Sequence, residues 1–130
     1  MRDFHKLKVW EKSHSLTLDV YRLTRGFPRS EMFGLQSQIR RSSASVAANI
    51  AEGSGRSGKA ELAQFLNVAL GSASELEYHL LLAKDLHLIE VTSHQEMDRK
   101  VVEVKRMLTG LMDRVRPEHN RSRESLKPEA

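Results

Sequence analysis

The 130-residue chain has no cysteine. That excludes a disulfide scaffold, thiolate zinc and iron–sulfur centres, and a cysteine nucleophile, and it makes a reducing compartment, the cytoplasm, the expected location. Aromatic residues are 5% of the chain, with seven glycines and three prolines. A β-sandwich draws on aromatic strands and frequent turns, so this composition argues against one. The longest aliphatic run, Leu80-Leu81-Leu82-Ala83, falls far short of the roughly 20 apolar residues that cross a bilayer. The opening Met1-Arg2-Asp3-Phe4-His5-Lys6 lacks an apolar stretch, so neither a secretory leader nor membrane association is expected. What remains is 39% hydrophobic and 29% charged residues, the profile of one soluble globular domain with a real core.

The charge is +4 and unevenly spread. Residues 1–29 carry seven Lys and Arg against three acids, whereas residues 57–90 carry two against five. Two readings fit: a basic face for nucleic acid, or oppositely charged helices lying side by side.

Punctuation cuts the chain into four segments. Gly26-Phe27-Pro28 stops the first, Gly53-Ser54-Gly55-Arg56-Ser57-Gly58 breaks the second from the third, Ile89-Glu90-Val91-Thr92 precedes the fourth, and Pro117 ends it. In the fourth, Met97, Val101, Val104, Leu108, Leu111 and Val115 step by four and three, a heptad seam. Thr92-x-x-Gln95 and Ser93-x-x-Glu96 are capping-box candidates at its start. The third repeats the pattern with Leu62, Leu66, Ala69, Ala73, Leu76, Leu80, Ala83 and His87. The second gives Leu35, Ile39, Ser42, Val46, Ile50 and Gly53 in a run of small residues that lets a neighbour approach closely. Short connections make neighbours antiparallel. The expected fold is all-α, an antiparallel up-down-up-down four-helix bundle over residues 1–116, with a flexible polar tail over 117–130.

The first segment has two apolar stripes, Leu7, Trp10, His14, Leu18 and Tyr21 beside Val9, Leu16, Val20, Leu23 and Phe27. That exceeds a narrow seam. Val9, Trp10, Leu16 and Val20 are the candidate oligomer interface, with a wide core-facing stripe as the alternative.

Catalytic constellations are scarce. A di-metal bundle site needs Glu-x-x-His on two helices, and only Glu11-x-x-His14 occurs. No phosphate-loop, dinucleotide or H-E-x-x-H signature is present. No catalytic residue, metal site, cofactor or small-molecule substrate is expected. Asn49 and Glu52 are polar residues in the small-residue helix and take a structural role, with Arg40, Arg41 or a histidine of the third helix as partner for Glu52. Arg40-Arg41, the pair Lys8 and Lys12, and the row Arg22, Arg25 and Arg29 are the candidate phosphate contacts. Few aromatics interleave with them, which favours shape-level recognition of structured RNA over base stacking.

Several linked motifs point to a family. Phe4-x-x-Leu7-x-Val9-Trp10 is followed by Phe27-Pro28-x-x-Glu31-x-Phe33-Gly34-Leu35-x-x-Gln38-Ile39-Arg40-Arg41. Ser45-Val46-x-x-Asn49-Ile50-Ala51-Glu52-Gly53 and Phe65-Leu66-x-x-Ala69-x-Gly71-Ser72-x-x-Glu75-Leu76 complete the set. Over residues 4–90 the chain resembles the bacterial 23S rRNA intervening-sequence proteins. The resemblance implies a four-helix bundle assembled as a homopentamer, without established catalytic residues. A structural likeness of that family to a nucleic-acid-binding accessory protein of retroelements raises the expectation of RNA binding. The expected function is a non-enzymatic homo-oligomer that binds structured RNA, such as rRNA, through basic surfaces. The alternative is a protein-interaction scaffold with no nucleic-acid role.

Overall fold

In a computed structural model, residues 2–116 are described. The expected tail, 117–130, lies outside them. Four helices follow one another: α1 over Lys8–Thr24, α2 over Leu35–Ser54, α3 over Lys59–Asp85 and α4 over Val91–Val115. Short 3₁₀ turns at Phe4–Lys6 and Arg29–Glu31 precede α1 and α2. Each helix packs on its sequence neighbours and α4 returns to α1, the up-down-up-down bundle.

The seams of α2 and α3 lie where the periodicity puts them. Leu35, Ile39, Ser42, Val46, Ile50 and Gly53 of α2 are buried. So are Leu62 through Ala83 of the α3 series. His87 falls beyond the end of α3 and is exposed. In α4 the seam runs Met97, Val101, Val104, Leu108 and then Met112, leaving Leu111 half-buried. A straight helix drifts against a strict heptad, and the drift moves the last contact by one position.

In α1 the structure corrects the expected interface. Val9, Leu16 and Val20 are 3%, 2% and 0% exposed and form its core side. Trp10 is half-buried against the core, and Leu18 and Tyr21 of the other stripe point outward. Two hydroxyl residues hid this seam. Ser13 and Thr24 occupy core positions and satisfy their hydroxyls on the carbonyls of Val9 (2.7 Å) and Val20 (2.8 Å), one turn back. A buried hydroxyl bonded in this way carries little penalty, so the seam reads Val9, Ser13, Leu16, Val20, Thr24 and Phe27.

The closest helix pair is α2–α3. Gly53, expected to break α2, lies inside it. A Cβ there would stand 2.7 Å from Phe65 Cβ and 3.1 Å from Leu62 Cδ1, so only glycine fits without a shift. Farther along, Ser45 and Ser72 hydroxyls meet at 2.8 Å, and the Asn49 amide donates to the Ser45 carbonyl (2.8 Å) and hydroxyl (3.0 Å). The Asn49 amide thus fixes Ser45, the small side chain that meets α3 at this contact. Glu52 does not pair with Arg40, Arg41 or a histidine. It receives Arg56 at 2.6 Å on the exposed end of α2, the nearest cation one turn on.

Two helix ends differ from expectation. Val91 already begins α4, with Glu90 at the cap and no side-chain cap bond, so Thr92 and Ser93 lie within its first turn and neither capping box forms. The α3 end closes with His87 N–H donating to Lys84 O and Leu88 N–H to Ala83 O, both 2.9 Å. That six-to-one closure needs a left-handed residue, and His87 supplies it at φ 60°. Glycine would adopt this conformation without the Cβ clash. His87→Gly is expected to raise stability by about 0.5–1 kcal/mol, the left-handed penalty less the added freedom of the unfolded chain. Thermal melting checks it, and a lowered midpoint would count against the strain.

Candidate nucleic-acid interface

Two of the predicted cations are held in ion pairs. Lys12 pairs with Glu103 of α4 at 3.2 Å, and Arg22 with Asp19 at 3.0 Å. Asp19 also holds Lys100 of α4 at 2.7 Å, and that hydrogen bond keeps the Lys100 ammonium above its ordinary range against the opposing effect of burial. Glu77 of α3 takes Lys105 of α4 at 2.7 Å. These pairs tie α4 to both of its neighbours, α1 and α3. Such part-exposed pairs contribute about 0–1 kcal/mol each.

Arg40 is a brace. Its Nε donates to Thr24 Oγ1 at 2.7 Å, its terminal nitrogen to Tyr21 O at 3.3 Å, and its guanidinium lies 4.6 Å from the Tyr21 ring centroid. Stacking and a directed fork suit arginine and not lysine. Arg40 thereby ties α2 to the end of α1, so Arg40→Ala removes a tertiary contact as well as a charge. Arg41, next in the chain, is exposed and makes no ion pair among the described residues.

Arg25 and Arg29 are also exposed and make no ion pair among the described residues, and they sit at the handover from α1 to α2. Between them and Arg41 the chain presents Phe33, 91% exposed, beside a 43% exposed Met32. Glu31 is engaged locally, its Oε1 accepting the Leu35 N–H at 3.3 Å and so capping α2. This end therefore combines a free aromatic face with three uncommitted guanidinium groups. Sequence spacing did not reveal it, because Phe33 reads as one more apolar residue before a helix.

A second aromatic group lies at the other end of α1. Trp10 and His14 stack at 5.0 Å and 7°, Phe4 meets Trp10 edge-on at 4.9 Å, and His5 stacks on Phe4 at 4.1 Å. Asp3 orients His5 through its ring Nδ1 (2.8 Å) and its N–H (3.0 Å), and those bonds hold the Asp3 carboxyl below its usual range. The segment is anchored by Arg2, whose N–H reaches Ser54 O and whose guanidinium reaches Arg56 O, both at 3.0 Å. His14 of the lone Glu11-x-x-His14 pair is thus taken up in stacking. Among the described residues, no three His, Asp or Glu side chains are grouped to hold a metal, and no helix is long and apolar enough to cross a membrane.

These features define an all-helical, antiparallel four-helix bundle with cations and an exposed aromatic where α1 meets α2. Residues 5–110 match the 23S rRNA-intervening sequence protein family, and the chain belongs to it. It is similar to a protein of unknown function from the S23 ribosomal protein family of Bacteroides thetaiotaomicron. The two share 27% identity over 80% of this chain and 97% of that one, with a TM-score of 0.75. No curated protein matches the chain.

Proposed function

We propose that this chain is a non-enzymatic, homo-oligomeric RNA-binding bundle of the cytoplasm, gripping structured RNA at the α1–α2 end. Phe33 offers its ring to an unpaired base, and Arg25, Arg29 and Arg41 take the flanking phosphates. The observation that carries this reading is the 91% exposure of Phe33 among unpaired arginines. Water tolerates such a ring poorly, and a base-and-phosphate ligand satisfies both features at once. The family's description, which refers to sequences intervening in 23S rRNA, agrees with an RNA partner.

Self-association in this reading uses the outer face of α3. Val68, Tyr78 and Leu81 are exposed there, and Gly71 between them has no neighbour within 4 Å of a Cβ position. The family resemblance implies five copies. The same face favours the second reading, a scaffold whose partner is another protein.

The test is equilibrium binding to a structured 23S rRNA fragment, with duplex DNA as control, from about 50 to 200 mM salt. The expected result is tighter binding to RNA, with affinity falling linearly on a log–log salt plot. No binding at the lowest salt would remove the RNA reading and leave the scaffold.

A further inference from the structure

We propose that the cleft between the start of α1 and the last third of α4 is a binding site for a phosphomonoester with a flat apolar body, a nucleotide. The cleft has a volume of about 390 Å³, within the range of small-molecule sites. Leu7, Met107 and Leu111 line its floor, and Lys8, Arg106 and Arg114 its rim.

Charge distinguishes this cleft from its neighbours. The adjoining groove on the same α1–α4 seam is balanced, with Lys12 and Lys100 against Asp19 and Glu103. The groove between α3 and α4 contains the Glu77 and Lys105 pair. Here three cations converge with no carboxylate in the lining, and none of the three makes an ion pair among the described residues. Like charges around a concave apolar surface repel unless an anion joins them. Two guanidinium forks and an ammonium suit the dianionic phosphate of a monoester better than a single carboxylate. Methionine and leucine beneath them suit an aromatic ring, since the thioether packs favourably against ring edges.

Gly110 is the independent sign. It stands in the interior of α4, where glycine is the poorest helix former after proline, and it lines the cleft. A Cβ there would meet nothing within 4 Å, so internal packing does not require glycine. What glycine does is leave the cleft open.

The ligand could be a free nucleotide or the phosphorylated end of an RNA. The cleft lies on the α4 side of α1, away from Phe33, and its test stands apart from that of the RNA surface. Calorimetric titration of the intact protein with adenosine 5′-monophosphate is expected to show binding at least tenfold tighter than with adenosine or inorganic phosphate. Arg106→Gln/Arg114→Gln should weaken it at least tenfold through lost charge. Gly110→Leu should do the same by filling the cleft, while leaving the melting temperature equal or higher. If Gly110→Leu binds the nucleotide as the parent does, or if the monophosphate binds no better than phosphate alone, the site is refuted. An RNA oligomer with and without its 5′-phosphate separates the sources. A preference for the phosphorylated form that Gly110→Leu abolishes assigns the cleft to RNA ends, and nucleotide binding without such a preference assigns it to free nucleotides.

Discussion

Valine in place of Gly53 is expected to destabilise the bundle by about 2–3 kcal/mol, an overpacking cost. The first added atom would lie 2.7 Å from Phe65 Cβ, which is fixed to the α3 backbone and cannot rotate away. Leu62 Cδ1, at 3.1 Å, can yield slightly. The helices themselves must therefore move apart, and the two further methyl carbons of valine enlarge that movement. Alanine at 53 should cost about 1 kcal/mol less, because it lacks the two further methyl carbons and is the better helix former. Urea denaturation checks both, through a lower midpoint at an unchanged slope. A valine variant with the parental midpoint would mean that α2 and α3 are not in close contact at this level.

Phe33→Ala should have the largest effect on RNA binding and none on folding. Its ring is 91% exposed, so removing it leaves no cavity. Loss of one stacked base costs about 1–3 kcal/mol, roughly a 5- to 150-fold loss of affinity. The ring is neutral, so the salt slope should stay the same. The triple change Arg25→Ala/Arg29→Ala/Arg41→Ala should instead lower that slope by about 2–3, one phosphate contact for each arginine. Together the variants separate stacking from charge. If Phe33→Ala dissolves the oligomer and leaves RNA affinity intact, Phe33 belongs to a protein contact and the scaffold reading gains.

Three of the four seams were legible because their core positions are apolar or small and recur at helical spacing. The α1 seam was not, since Ser13 and Thr24 count as polar in any pattern and become core residues only by bonding back to their own helix. That inverted the two stripes and placed Val9, Leu16 and Val20 on the outside. Gly53 shows a related ambiguity, because a break and a close approach look alike in sequence. Arg40 and Arg41 are adjacent and chemically identical, yet one is a brace and the other is free. Only the position of Tyr21 and Thr24, 19 and 16 residues earlier, separates them.

The unequal helix contacts also bear on how the bundle breathes. With α2 and α3 nearly touching at Gly53 and α1 meeting α4 least, the four helices resemble a book bound along one edge. The free edge is held by ion pairs, the exposed Lys12 with Glu103 and the part-buried Lys100 with Asp19. Local opening follows the least-packed seam. Amide protons of α3 are therefore expected to exchange last and those facing the α1–α4 edge first, with high salt loosening that edge before it touches the spine.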